Sequence, residues 1–332
     1  MTLKIDFVIP WVDGADPEWQ KEKQKYDKKM NVDNRSIRYR DLDNLVYWFR
    51  GVETFAPWVN KIHFITWGHV PSWLNTNHPK INIVRHEDYI PEEYLPTFST
   101  RPIELNLHRI KGLSDHFVYF NDDMFIIKPV KKNDFFKQGL PRDTGVLVPM
   151  MSLFRNSTMP NVATVMEVIN TTYSKQEMFK KDLFKWINPL YGKFLIRTLT
   201  MLPYKQFSGF LNLHIPNSYL KNTFEEIWKD EHDILDTTCK NKFRTAKDVN
   251  QQLPKYKQLV EGNFKPRSPF IGKTFNFTNK NDDIVHCIKK QKYKMICIND
   301  NGSEKVNEFE KEKQVIRNAF DLILHQKSSF ES

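Results

Sequence analysis

The sequence predicts an α/β protein whose first half builds a largely parallel sheet and whose second half is more helical. Three observations carry that reading. Short apolar runs rich in β-branched and aromatic residues (IDFVIPWV, KIHFITW, INIVRH) alternate with stretches whose apolar residues recur at helical spacing. Acidic residues stand just past the carboxyl ends of two strand-like runs, the edge where ligands collect in such sheets. Beyond residue 150 the helical period dominates.

Residues 5–12 read as a buried strand ending in the turn-rich Asp13-Gly14-Ala15-Asp16-Pro17. Lys21 to Lys29 (KEKQKYDKK) reads as a solvated helix face. Asp41 is placed to cap a helix carrying Leu42, Leu45, Val46, Phe49 and Val52, stopped before Pro57. Residues 61–67 and 81–86 follow as strands. Ser99 or Thr100 opens a second helix with Pro102 in its first turn and Gly112 at its close. HFVYF (116–120) is the next strand and GVLVPM (145–150) another. In the second half, residues 217–235 read as a helix capped by Asn217, and Asn281 caps DDIVHCIKK. KMICI (294–298) forms a short strand before the turn Asn299-Asp300-Asn301-Gly302. Ser303 to about Gln326 reads as one long helix with Phe309, Val315, Ile316 and Phe320 on one face.

Composition bounds the function. With 332 residues, 40% hydrophobic and 14% aromatic, the chain has ample material for a core, which excludes general disorder. The net charge of +10 fits nucleic acid, an anionic membrane or phosphorylated substrates without choosing among them. No nucleic-acid-binding motif occurs. Three cysteines, Cys239, Cys287 and Cys297, lack disulfide or zinc spacing and favour a reducing compartment. No signal peptide and no membrane-spanning run are read, so the expected location is the cytoplasm, with peripheral contact at the inner face of the membrane.

The chemistry concentrates in HFVYFNDDMFII, from His116 to Ile127. Asn121, Asp122 and Asp123 interrupt an apolar run, and unpaired carboxylates there are costly. Hard cations such as Mg²⁺ take carboxylate oxygens together with substrate phosphates, so an acidic pair at a strand end suits a metal–diphosphate site; a plain turn is the alternative. Asp13 ends the first strand, where either a nucleotide contact or an Asp-Gly turn fits. Arg101 and Glu104 lie in the first turn of a helix, a place for a phosphate or for a surface pair. His214 precedes Ile215-Pro216, as either a structural histidine or a base positioned by the fixed bend. Arg244 and Asp248, four apart, would share a helix face. Asp300 follows the last strand. FKWINPLYGKFLIRTLTMLPYK (184–205) interleaves Lys185, Lys193, Arg197 and Lys205 with apolar residues, as either a membrane-surface segment or an amphipathic core helix with a basic outer face.

WVDGADPEW, RDLDNLVYWFRGVETFAPWVNKIHFITWG, STRPIELNLHRI, YFNDDMFI, HIPNSYLK, FRTAKDV and ICINDN occur in order between Ile5 and Asn301. Together they resemble the four sequence blocks of the Stealth family: bacterial capsular and exopolysaccharide phosphotransferases and the eukaryotic enzyme that places GlcNAc-1-phosphate on lysosomal glycoproteins. The resemblance implies a Rossmann-like or glycosyltransferase-A-like core and a Mg²⁺ (or Mn²⁺) requirement. It implies transfer of hexose-1-phosphate, usually N-acetylhexosamine-1-phosphate, from a UDP-sugar to a sugar hydroxyl with release of UMP. It puts Asp13, Arg101, Glu104, Asn121, Asp122, Asp123, His214, Arg244 and Asp300 in the active site. Within that set, Asp122 and Asp300 are expected to hold the metal and Asp13, Glu104 and Asn121 to contact the nucleotide sugar or order the metal shell. Arg101 and Arg244 would clamp phosphate oxygens; Asp123 and His214 are the two candidates for the base, with Asp123 favoured and His214 then orienting phosphate or acceptor. Residues 1–150 become the nucleotide-sugar and metal-binding part. Residues 151–302 form an acceptor-side part completing the same site, for a glycan or lipid-linked oligosaccharide, and 303–332 a helix packing on the core. The competing expectations are a metal-dependent glycosyltransferase releasing UDP and a non-enzymatic polyanion-binding module.

Overall fold

The computed structural model describes residues 3–27, 42–150, 159–300 and 308–332. Its strands are β1 (Asp6–Pro10), β2 (Ile62–Thr66), β3 (Ile81–Arg85), β4 (His116–Tyr119), β5 (Met124–Ile126), β6 (Phe136–Lys137), β7 (Leu140–Asp143), β8 (Asn217–Leu220), β9 (Lys265–Pro266), β10 (Gly272–Asn276) and β11 (Met295–Asn299). The main sheet runs β3-β2-β1-β4-β8; the first four strands are parallel and β8 is an antiparallel edge. This is the α/β, Rossmann-like sheet expected. A second sheet, β10-β11-β5, sets β5 antiparallel to β11, and β6-β7-β9 forms a third.

Side chains alternating across the main sheet feed two cores. Phe7, Ile9, Phe64, Val118 and Phe120 enter one; Val8, Ile65, Phe117 and Tyr119 enter the other. Burial on both faces is why these strands read as continuous apolar runs. Helices α1 (Pro17–Asp27), α2 (Leu45–Phe55), α3 (Thr100–Leu105) and α4 (Lys132–Phe135) belong to the first half. In the second half lie α5 (Met159–Thr172), α6 (Lys175–Trp186), α7 (Leu195–Met201), α8 (Lys221–Asp230), α9 (His232–Lys240), α10 (Gln252–Val260), α11 (Asp282–Lys289) and α12 (Phe309–Asp321).

Helix α2 ties the sheets together. Trp48 meets Phe120 edge-on at 5.3 Å, and Tyr47 stacks on Phe320 of α12 at 5.0 Å. Gly51 is required for that approach, because a Cβ there would lie 2.7 Å from the Ile126 carbonyl oxygen of β5. Arg50 grips Glu331 through two bonds of 2.9 and 2.8 Å, fastening the C-terminus to the same helix.

Several sequence expectations shift. Asn217 caps no helix: residues 217–220 pair with β4 as an edge strand, and α8 starts at Lys221. Residues 145–150 form no strand beyond a single bridge from Leu147 to Phe210; the nearby strand is β7. The helix expected to close at Gly112 ends at Leu105, because Asn106 Nδ2 donates to the Pro102 carbonyl and Trp228 Nε1 takes the Leu105 carbonyl. Arg244 and Asp248 share no helix face; residues 241–250 are irregular, and buried Asp248 accepts from Asn241 and Thr245 instead. Lys23 is buried over the Trp19 ring rather than solvated. On α12, Ile316 and Phe320 are buried while Val315 is exposed. Asn44 precedes the first residue of α2; Asp41 lies outside the described residues, as do Asn301, Gly302 and Ser303.

Asp6 anchors the start of β1. Fully buried, it accepts from Asn60 Nδ2 (2.7 Å), the Lys61 N–H (3.1 Å) and the Ser114 N–H (2.7 Å), and pairs with His63 at 3.1 Å. Burial alone would raise its pKa, but the His63, Asn60 and Ser114 contacts hold it below the ordinary 3.8. A depressed carboxylate contributes stability that is present above its unfolded pKa and lost as pH falls through the folded one. Asp6→Ala strips four donors of their acceptor and is expected to cost about 3–5 kcal/mol in urea unfolding.

Candidate active site

Parallel pairing brings the ends of β1 and β4 side by side: Val8 faces Tyr119, and the Phe120 N–H donates to the Val8 carbonyl at 2.9 Å. Asp13 and the Asn121-Asp122-Asp123 turn therefore lie on one sheet edge. The turn is closed by the Met124 N–H on the Asn121 carbonyl at 3.1 Å, and it leaves Asp122 exposed and Asp123 half-buried. Next to it, β11 runs antiparallel to β5, and the Ile298 N–H donates to the Asp123 carbonyl at 2.9 Å. That bond sets Asp300, two residues on, at the same edge.

Asp123 is the centre of the best-defined cluster. Its Oδ2 lies 3.6 Å from His214 Nε2 and accepts from the Cys297 thiol at 3.2 Å. Its Oδ1 is buried without a hydrogen-bond partner among the described residues. His214 holds its place through a left-handed backbone, φ +46°, uncommon for a residue with a side chain. Asn212 Oδ1 receives its N–H at 3.1 Å, and Thr274 Oγ1 donates to the Leu213 carbonyl at 2.6 Å. Burial pushes the His214 pKa down, but Asp123, with help from Glu104, outweighs it and leaves the pKa raised from 6.5; Lys255 opposes. Asp123 therefore favours the protonated form of the His214 ring. The Cys297 thiol is driven well above its usual range, by burial first and then by the Asp123 and Asp122 charges, so it stays protonated.

A second cluster forms at the start of α3. Arg101 Nη1 is 3.6 Å from Glu104 Oε2, and both side chains are buried, so this is no surface pair. Tyr119 donates to Glu104 Oε1 at 3.3 Å, joining α3 to the strand that carries the acidic turn. Arg244, exposed, donates to Thr100 Oγ1 at 3.1 Å, which brings it to the same helix start as Arg101. The Arg101 Nε is buried without a partner among the described residues. Asp13 is engaged locally: its N–H donates to His69 Nε2 and its Oδ1 accepts from Ala15, both at 2.8 Å, and no bond joins it to the acidic turn among the described residues.

Sequence reasoning missed Cys297, Lys255 and His69. Lys255, buried, donates to Asn217 Oδ1 at 2.8 Å and lies 3.6 Å from Asp143. Cys297 could have been found only through the β5–β11 register. Cys297→Ala removes one weak donor from Asp123 and is expected to lower turnover roughly two- to tenfold, measured as kcat at saturating donor.

Atoms of Asp123, His214 and Cys297 lie within 4.8 Å of one another. A carboxylate, an imidazole and a thiol make a mixed donor set, unlike the all-oxygen shell that Mg²⁺ takes. The carboxylates of Asp122 and Asp300, past the ends of β4 and β11, are hard oxygen donors of the kind Mg²⁺ or Mn²⁺ takes, though they form no converging group of three with Asp123 among the described residues.

Residues 3–31 match Stealth protein CR1, conserved region 1, and residues 38–143 match Stealth protein CR2, conserved region 2. The chain is 45% identical over 331 residues to the capsular polysaccharide phosphotransferase WcwK of Streptococcus pneumoniae, covering 99% of this chain and 98% of that one. It is 38% identical to the exopolysaccharide phosphotransferase cps2G of Lactiplantibacillus plantarum, covering 98% and 96%. It is likewise 38% identical to the receptor polysaccharide phosphotransferase WefC of Streptococcus oralis, covering 99% of each. Among solved structures, galactosyltransferase LgtC in complex with donor and acceptor sugar analogs aligns over 94% of this chain and 95% of that one, at 11% identity and a TM-score of 0.40.

Proposed function

The chain belongs to the Stealth family of polysaccharide phosphotransferases, and from that membership we propose that it transfers hexose-1-phosphate from a UDP-sugar to a glycan hydroxyl. The products are a phosphodiester and UMP, in the synthesis of a capsular or other cell-surface polysaccharide. N-acetylhexosamine-1-phosphate is the group we favour, and a lipid-linked oligosaccharide is one form the acceptor can take. The observation that carries the proposal is full-length similarity to phosphotransferases; the acidic turn past β4, and the meeting of Arg101 and Arg244 at the start of α3, support it.

Phosphoryl transfer passes through a loose transition state, so positioning and charge neutralisation dominate. Mg²⁺ or Mn²⁺ held by Asp122 and Asp300 would neutralise diphosphate charge when bound. Arg101 and Arg244, close together at the start of α3, clamp the non-bridging oxygens with planar paired donors. Glu104 fixes Arg101 and is itself held by Tyr119. Asp123 orients the acceptor hydroxyl and takes its proton, its carboxylate held in place by His214 and Cys297 at Oδ2. His214, with Nε2 3.6 Å from Asp123 Oδ2, steadies that carboxylate and orients phosphate or acceptor. Asn121 and Asp13 border the nucleotide sugar.

The test is product analysis with purified protein, Mg²⁺, a panel of UDP-sugars and glycan acceptors. The expected result is a phosphodiester signal in phosphorus NMR and acceptor-dependent UMP. Release of UDP, with a product free of phosphorus, would instead mean glycosyl transfer.

A further inference from the structure

The 184–205 segment has no part in the site described above. The segment is anchored in the core by Trp186, Tyr191 and Met201, but its outer face is more than basic: seven of the twelve exposed large apolar side chains among the described residues lie between Leu183 and Tyr204. Phe184 is 83% exposed, Ile196 64% and Tyr204 61%. They lie at the end of α6 (Leu183, Phe184), in the turn after it (Leu190), on α7 (Ile196, Leu199) and just beyond it (Leu202, Tyr204), and in the turn Phe194 packs against half-exposed Phe270 at 5.7 Å. Exposed apolar residues scattered singly need no explanation; a concentration of this kind marks a contact surface.

Charge identifies the contact. Between Asp182 and Glu225 the sequence contains no acidic residue, while Lys193, Arg197 and Lys205 are exposed within the patch. Arg197 and Lys193 lie over the Phe194 ring at 5.2 and 5.9 Å, their stems along the apolar surface and their charges at its rim. A second copy of the chain meeting this face across a twofold would set these cations against one another, so a self-contact is disfavoured. No described helix is long and apolar enough to cross a membrane.

We propose that this face, built on α6, α7 and the intervening turn, lies on an anionic lipid bilayer, with Phe184, Leu190, Ile196 and Leu199 entering the headgroup boundary and Lys193, Arg197 and Lys205 pairing with lipid phosphates. Apolar area supplies one part of the binding and charge the other. The inference holds or fails independently of which group the enzyme transfers.

The experiment is flotation of the full-length protein with phosphatidylcholine vesicles, with and without phosphatidylglycerol, at moderate salt. The expected result is association with the anionic vesicles and little with the neutral ones. Lys193→Glu combined with Arg197→Glu should weaken it by at least about 25-fold, at roughly fivefold per basic charge. Phe184→Ser combined with Ile196→Ser should also abolish retention at raised salt, where only the apolar part survives. All four positions are exposed, and an unchanged circular dichroism spectrum and melting temperature would show that the variants fold. No flotation with anionic vesicles overturns the proposal, as does binding that either double variant leaves intact. So does a solution dimer that Phe184→Ser with Ile196→Ser disperses, since that would make a second copy the occupant.

Discussion

Asp123→Asn is expected to lower turnover by about 10²–10⁴-fold while leaving the melting temperature and donor affinity close to the parent's. Asparagine keeps the shape and an acceptor oxygen for Cys297 and the His214 ring but cannot take the acceptor's proton. The same loss should appear at every donor concentration, because the defect is in the chemical step. His214→Ala should also cost activity, through loss of the ring that holds Asp123 Oδ2 at 3.6 Å. Residues acting as a unit are not additive, so the double variant should fall little below the worse single one. If Asp123→Asn keeps more than roughly a tenth of parental turnover, the proton goes elsewhere and the proposed role is wrong.

Asp122→Asn is the second large effect, and it separates metal from proton chemistry. Mn²⁺ binding, followed by electron paramagnetic resonance in the presence of UDP, should weaken by at least about 10–100-fold, the loss already typical when an outer partner of a metal ligand is removed. Turnover should collapse with it and recover only in part at high Mn²⁺. Asp300→Asn should act in the same direction, since the Ile298–Asp123 bond of 2.9 Å carries β11 to the acidic turn. Unaltered Mn²⁺ binding in both variants would move the metal away from these two carboxylates.

The parallel strands and the acidic turn were legible because buried strands leave continuous apolar runs, and two carboxylates within one are conspicuous. The sheet edge shared by Asp13 and Asp122 followed from strand ends alone. What the sequence hid depends on tertiary pairing. Residues 217–220 carry a helix-capping residue type, yet pairing with β4 makes them a strand. Asn106 ends α3 early by bonding to its own helix, a competition that spacing does not reveal. By sequence Cys297 is one of three cysteines without disulfide or zinc spacing, and only antiparallel pairing sets it against Met124, beside Asp123. Arg244 and Asp248 looked like a helical pair because their spacing is right, but the segment between them never forms a helix. The proximity of Arg101 to Arg244 crosses more than a hundred residues and needed the fold to appear.

The most direct test of the central claim follows the β-phosphate of the donor. The protein is supplied with Mg²⁺, acceptor glycan and UDP-N-acetylglucosamine radiolabelled in that phosphate, followed by other UDP-sugars labelled in the same way. Sugar-1-phosphate transfer predicts that the label moves into the glycan as a phosphodiester and that unlabelled UMP is released, with both lost in Asp122→Asn. Label remaining in UDP while unlabelled sugar enters the glycan would contradict it and make the reaction a glycosyl transfer.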